Sequence, residues 1–344
     1  MRFNGGQVAL VAAVLGLGIA GNRFLRRLKA IDLTGKVVLI TGGSRGLGLA
    51  LAEEFAHQGA RLVLCARYES ELERARQKIV AMGAEVLTIP CDITDREQVQ
   101  RMVDQAATRF GQIDVLVNNA GIITVGPLQA QTLKDFEESM AVMFWGSVYT
   151  TLVVLPTMLE RQSGHIVNIT SIGGKVSVPH LLPYASAKFA QVGFSEGLHA
   201  ELAKEGIHVL TVVPGLMRTG SPTNAFFKGQ HRIEYTLFNL LDTLPFTSIS
   251  ARKAAKQIVH ATKRGDAEII LSVQAQLAAR FHGLFPGVTA DVLGLVNRLL
   301  PGIGSDATAK ERWMGKESTT ALSSSFLTIL GEKAAHEYNE SQEP

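Results

Sequence analysis

From Lys36 onward the chain alternates short, almost uninterrupted apolar runs with longer stretches of helical period, and this alternation restricts its fold more than any other feature. The runs lie at residues 37–41, 62–66, 85–89, 115–118, 166–170, 209–213 and 268–271. A strand with one face in water alternates polar and apolar residues, so runs apolar throughout must be covered on both faces. The intervening segments, such as 70–82 and 95–110, supply that cover as helices, the second opened by a capping-box pattern of Thr94 and Glu97. The expectation is an α/β fold, a doubly wound parallel sheet of about seven strands of Rossmann type.

The 344 residues allow one large domain or two modest ones. Three regions are expected: a hydrophobic segment with a basic flank (1–30), the α/β domain (31–272) and a helical C-terminal extension (273–344), its helical patches broken at Pro286-Gly287 and Pro301-Gly302. With 34 Lys and Arg against 31 Asp and Glu, the net charge of +3 leaves no electrostatic footprint for nucleic acid. Cys65 and Cys91 form no CxxC pair, and His199, His208 and His231 have no ligand spacing, so neither a disulfide framework nor a metal site is expected.

Residues 3–22 carry no charge, and their centre, 8–20, contains only Ala, Val, Leu, Ile and Gly. A helical span needs about 20 apolar residues, so the length is borderline. Arg23, Arg26, Arg27 and Lys29 follow, an excess that would keep everything downstream on the cytoplasmic side. A single N-terminal anchor is expected; a packed soluble helix and a cleaved signal ending at Gly18-Ile19-Ala20 are the other readings.

The first apolar run leads directly into Thr41-Gly42-Gly43-Ser44-Arg45-Gly46-Leu47-Gly48 and then into a helix. Glycines there permit a tight turn and close backbone approach, and the free N–H groups and dipole of the helix N-terminus attract a pyrophosphate. A strand-to-helix turn that merely needs flexible backbone is the plainer reading of such a turn alone.

The T-G-x-x-x-G-x-G spacing resembles the short-chain dehydrogenase/reductase family, and four further motifs agree in order. Asn118-Asn119-Ala120-Gly121 resembles the family's N-N-A-G; Ser171 stands where its catalytic serine is kept; Tyr184-Ala185-Ser186-Ala187-Lys188 matches Y-x-x-x-K; Pro214-Gly215 with Thr219 resembles the stretch that closes over the nicotinamide. The resemblance covers roughly residues 32–272. It implies a cofactor site of Thr41, Gly42, Ser44, Arg45, Gly46, Leu47, Gly48, Arg67, Asp92, Ile93, Asn119, Ala120, Gly121, Tyr184, Lys188, Pro214, Gly215 and Thr219, and catalysis by Ser171, Tyr184 and Lys188. Asp92 and Ile93 resemble the pair that contacts adenine, with a turn-forming Asx before the next helix as the alternative.

Charge bears on which nicotinamide cofactor is taken. NAD-selective folds place a carboxylate after the second strand, where it holds the ribose hydroxyls and would repel a 2′-phosphate. Here that strand ends Leu64-Cys65-Ala66-Arg67, and Arg45 is a second cation within reach, so NADP is expected.

Tyr184 and Lys188, four residues apart, share a helix face. By resemblance Tyr184 is the general acid for carbonyl reduction and the base for the reverse, Lys188 lowers its pKa and binds the ribose, and Ser171 hydrogen-bonds the substrate oxygen. One residue departs from the family pattern: Met143 stands where an asparagine anchors a proton-relaying water, and a thioether cannot donate. Ser139 and Ser147, one turn either side, are candidates to hold that water. Between Gly215 and Ser250 an insertion contributes Phe226, Phe227, Tyr235, Leu237, Phe238, Leu240, Leu241, Leu244 and Phe246, enough for an apolar pocket or lid, or for a flap packed on the core.

The expected function is NADP-dependent hydride transfer between nicotinamide and a carbonyl/alcohol pair on an apolar small molecule such as a lipid, sterol or acyl chain, in a membrane-associated protein facing the cytoplasm. A membrane-associated NADP-binding protein with little turnover is the alternative, and the glycine spacing disfavours a sugar-nucleotide epimerase. A homo-oligomer is left open.

Overall fold

The computed structural model describes residues 30–305, 308–323 and 328–341; the expected anchor at 8–20 lies outside them. Seven strands form the expected parallel sheet: β1 (Val37–Thr41), β2 (Arg61–Ala66), β3 (Val86–Pro90), β4 (Val115–Asn118), then β6 (Gly164–Ile169), β7 (Ile207–Pro214) and β11 (Glu268–Leu271), while the short strands β5 (Thr124–Val125), β8 (Leu216–Arg218), β9 (Phe226–Phe227), β10 (Ser248–Ser250) and β12 (Trp313–Met314) belong to two smaller sheets. Their order is β11-β7-β6-β4-β1-β2-β3, which reverses direction between β1 and β4. In a doubly wound sheet a ligand binds outside the carboxyl ends of the strands at such a reversal.

Alternation along β1 explains the two layers. Val38 and Ile40 pack with Leu49, Leu51 and Phe55 of α1 (Gly46–His57), Leu72 and Ile79 of α2 (Glu69–Ala81), and Ile258 of α8 (Ala251–Arg264). Val37 and Leu39 face the other way, toward Met102 and Phe110 of α3 (Arg96–Phe110), and Val154 and Met158 of α5 (Gly146–Glu160). Fully burying each such side chain contributes about 1.5–3 kcal/mol, and this two-sided burial is why the strands read as unbroken apolar runs. The helix at 95–110 starts differently from its sequence pattern. Asp95, not Thr94, is the N-cap, accepting from Glu97 N at 2.9 Å and Gln98 N at 3.1 Å, while the Thr94 hydroxyl donates to Asp92. A carboxylate one position later satisfies the same orphan amides, so the Thr94–Glu97 box does not form.

A continuous helix from Leu133 to Glu160 crosses one face of the sheet as α4 (Leu133–Ser139), a π-helical turn (Met140–Trp145) and α5. It is the one helix among the described residues long and apolar enough to cross a membrane, yet its Val154 and Met158 are buried in the core. The insertion is a flap packed on the body: β9 (Phe226–Phe227) pairs with β5 (Thr124–Val125) and with β12 (Trp313–Met314). Phe227 and Tyr235, the latter from α7 (His231–Thr243), form a small core with Val125, against which Phe238 rests. Of the aromatic and aliphatic residues expected to line a pocket, Leu237, Leu241 and Phe246 instead face solvent.

The C-terminal extension is built into the body rather than appended. Beyond the helical hairpin α9 (Val273–Leu284) and α10 (Pro286–Asn297), in which Pro286 begins the second helix as well as ending the first, β12 joins the flap sheet. The last helix, α11 (Ile329–Glu337), places Ala334 and Tyr338 in the main core. Arg312 of the extension bonds Asp135 of α4, which also receives Lys228 of the flap at 2.6 Å, so one carboxylate holds both segments. Burial alone would raise the Asp135 carboxyl; hydrogen bonds from Lys228, Thr132 and Arg312 outweigh it and hold the group at about 2.

Candidate active site

The carboxyl ends of β1, β2, β3, β4 and β6 surround one cavity of about 240 Å³, beside the reversal of strand order. Of the expected site residues, Gly42, Ser44 to Gly48, Arg67, Asp92, Ile93, Asn119 to Gly121, Tyr184, Lys188 and Thr219 line it. Thr41, Ser171, Pro214 and Gly215 do not. Thr41 lies behind the wall, its hydroxyl accepting from Asn119 N at 2.9 Å and Ala120 N at 3.1 Å. Gly215 turns toward Ser272 and Ala275.

The turn between β1 and α1 needs its glycines. A side chain at Gly48 would run into the Gly42 carbonyl, and Gly42 itself, at φ +62°, sits against Ala120. Asn119 fastens the turn: its side-chain amide donates to the carbonyls of Thr41 and Gly42 at 2.9 and 3.1 Å. Asp92 both lines the cavity and forms the Asx turn, accepting from Thr94 N at 2.9 Å.

Glu71, the third residue of α2, was not expected in the site. It is 2% exposed, lines the cavity, and accepts from Ser44 Oγ and Arg45 Nη1, both at 2.8 Å. Arg45 is therefore already paired, whereas exposed Arg67 has no ion pair among the described residues and lies over the Tyr68 ring.

Tyr184 and Lys188 project from α6 (Leu182–Leu202), whose first turn carries Pro183, and one face of that helix presents Lys188, Gln191 and Ser195 to the sheet. Lys188 Nζ donates to Ile169 O and to Gln191 Oε1, each at 2.8 Å. Gln191 Nε2 donates to Ser147 Oγ at 2.9 Å, and Ser147 donates to the Met143 carbonyl at 2.8 Å. Met143 is fully buried with its sulfur beside Gly121. Ser147 Oγ thus already accepts from an amide and donates to a carbonyl, and Ser139 Oγ has no hydrogen-bond partner among the described residues. Gln191 carried one signal in the sequence, its i+3 spacing from Lys188 on the catalytic helix face.

Burial pushes the Lys188 ammonium down to about 7. Burial also pushes the Tyr184 phenol up, opposed by a hydrogen bond from Ser171. The sequence leads one to expect a lowered phenol; in this state Lys188 Nζ stands 5.8 Å from the ring centroid, and desolvation dominates. Ser171 caps the short 3₁₀ turn that follows β6, accepting from Gly173 N at 3.0 Å, so its hydroxyl is fixed beside the tyrosine.

A phosphate-type turn, a Tyr–Lys pair and a serine therefore meet on one parallel sheet, and a family model described as short chain dehydrogenase matches residues 36–227. The chain belongs to the short-chain dehydrogenase/reductase family. Similar members include the dehydrogenase/reductase SDR family protein 7-like of Drosophila melanogaster, 34% identical over 82% of this chain and 85% of that protein. An 11-beta-hydroxysteroid dehydrogenase A of Sesamum indicum is 34% identical over 68% of each chain. A short-chain dehydrogenase from Streptomyces avermitilis superposes with a TM-score of 0.67 at 30% identity, covering 78% of this chain and 99% of that one. Members of this oxidoreductase family use a nicotinamide cofactor, NAD or NADP. The cavity suits such a group: bare glycine backbone at its floor, Arg67 and Asp92 at the β2 and β3 ends, Tyr184 and Lys188 at the β6 end.

Proposed function

We propose that this short-chain dehydrogenase interconverts a carbonyl and an alcohol on an apolar substrate with NADP. The observation that carries the reading is that Tyr184 and Lys188 open into the same cavity as the glycine turn and Arg67. A bound nicotinamide supplies or accepts the hydride. The chain's own part is proton chemistry. Tyr184, its pKa raised by burial, stays protonated at neutral pH and donates to the substrate oxygen in the reducing direction. The Ser171 hydroxyl stabilises charge developing on that oxygen. Lys188, held at Ile169 and Gln191, keeps a donor toward the tyrosine and the cofactor ribose. NADP is favoured by Arg67, which stands where an NAD-selecting acid is absent and is free to meet a 2′-phosphate. An apolar substrate is supported by the hydroxysteroid dehydrogenases among the relatives, one of them the 17-beta-hydroxysteroid dehydrogenase 13 of Mus musculus at 37% identity over 58% of this chain and 66% of that protein. Oxidation of NADPH with a panel of aldehydes and ketones tests the reading; tight NADPH binding without turnover of any member would favour the binding-protein alternative.

Membrane association belongs to the same proposal. It is supported by the uncharged run at 8–20 and by the exposed faces of α9 and α10, where Leu277, Leu284 and Val288 stand in solvent. The full chain is expected to float with liposomes, and a chain beginning at Ile31 to float less; full recovery of the intact chain in the soluble fraction overturns this.

A further inference from the structure

The wall of the cofactor cavity contains a segment from the far end of the chain. Asn339 follows α11 at φ +59°, the left-handed conformation that asparagine tolerates better than most residues, and so ends the helix and redirects the backbone. Three consecutive residues then close on the glycine turn. The Tyr338 carbonyl accepts from Gly46 N at 2.8 Å, and the Asn339 amide donates to Ser44 O at 3.1 Å. Glu340 enters the cavity itself. Its carboxylate lies 3.4 Å from Arg45 Nε and accepts from Asn224 Nδ2 at 2.6 Å. A side chain added at Gly46 would begin 2.5 Å from Glu340 Oε1, so the carboxylate fills the notch that the glycine leaves open.

These contacts use the groups a phosphate would need. The amide of Gly46 is one of the free N–H groups at the start of α1, and it is already bonded to a backbone carbonyl. Arg45, the neighbouring cation, is held between Glu71 and Glu340. Thr219 lies across from Gly46 on the same side as Glu340. With Glu340 in place the cavity is about 240 Å³, below the roughly 300–1,000 Å³ usual for pockets that bury small-molecule ligands, and Glu340 also lines a neighbouring cavity that includes Arg67 and Asp92. Burial raises the Glu340 carboxyl, while Arg45 and Asn224 favour its charged form.

We propose that Tyr338, Asn339 and Glu340 are a built-in competitor for the dinucleotide: they close the glycine turn in the cofactor-free chain, and the cofactor's pyrophosphate binds by displacing them. The proposal rests on the nicotinamide site being this cavity. Part of the intrinsic affinity is spent on opening, so the apparent dissociation constant exceeds the intrinsic one by the inverse of the open fraction.

Two measurements on the full chain test this. In hydrogen exchange with and without NADPH, peptides covering residues 42–48 should become protected while those covering 334–341 exchange faster. In titrations with NADPH and NADH, Glu340→Gln, which keeps the side chain's shape, should bind about tenfold more tightly than the native chain if the closed form predominates by that factor. Thermal unfolding of the variant establishes that it is folded, and Glu340→Ala should show the same sign. The competitor is overturned if NADPH protects 334–341, which would make the segment a clamp on the cofactor, or if both Glu340 variants bind equally or more weakly. Should native chain and variants alike bind neither dinucleotide, the cofactor site and its competitor fall together; native turnover with unchanged affinity in the variants removes the competitor alone.

Discussion

Lys188 donates to Gln191 at 2.8 Å within one helix, and Gln191 in turn donates to Ser147, joining the ammonium to the backbone of Met143. On the proposed mechanism the amide at 191 takes the place of the one that the family pattern puts at 143. Gln191 is a positioning residue: it accepts from the charged lysine and favours that form. Gln191→Met should move the alkaline limb of kcat/KM, set by a lysine held at about 7, to lower pH by about one unit, whereas Gln191→Glu should move it upward. A role confined to packing would lower stability and leave the limb in place.

Met143→Asn follows from the same geometry. The methionine is fully buried and the Ser147–Gln191 link already occupies one polar position beside it, so a new amide there has only the Ser139 hydroxyl left as a partner and most of its polar atoms stay unsatisfied. Turnover should not rise, and stability should fall by about 1–3 kcal/mol in chemical denaturation. A gain in activity would show that Gln191 does not fill the gap.

Cofactor choice should depend on Arg67 more than Arg45, because Arg45 is neutralised by Glu71 and Glu340 while Arg67 is exposed and unpaired by any described carboxylate. Arg67→Asp should weaken NADPH binding by at least about tenfold and spare NADH, and Arg45→Ala should have the smaller effect on the NADPH/NADH ratio. Equal dissociation constants for the two cofactors in the native chain would contradict this.

What could be read from the sequence follows from how each feature is encoded. The strands around Val37, Leu62 and Val209 are buried on both faces and so appear as unbroken apolar runs; the fold was legible for that reason. Ser171, Tyr184 and Lys188 were legible because the family's chemistry fixes their spacing. Glu71 was not, since an acid in the first turn of a helix reads as a dipole partner and only the tertiary structure buries it against Ser44 and Arg45. Nor was Glu340: it meets Arg45 of the glycine turn from the far end of the chain, a contact that no local periodicity records. The capping pattern at Thr94 failed by one position because Asp95 competes for the same amides.

The ion pairs by which Asp135 of α4 holds the flap, through Lys228, and the C-terminal extension, through Arg312, should be needed for stability. Lys228→Met leaves Asp135 buried with one cation fewer and should cost about 3–5 kcal/mol. Asp135 also carries a signed pH dependence. Its folded value, about 2, is depressed from 3.8, so its contribution is present above about pH 4 and is lost as pH falls toward 2. Replacing Asp135 with Asn should flatten the stability–pH slope across that interval in denaturant titrations. An unchanged slope would show that the pair with Lys228 does not set the acid limit.

In the proposed mechanism the Tyr184 phenol carries the transferable proton. The direct measurement compares the native chain with Tyr184→Phe, recording NADPH affinity and carbonyl-dependent NADPH oxidation on the same preparations. Turnover should fall by at least about 10²-fold while the dissociation constant changes little, because the substitution removes the proton and leaves the cavity wall in place. Turnover within a few-fold of native in Tyr184→Phe would show that the proton comes from another group.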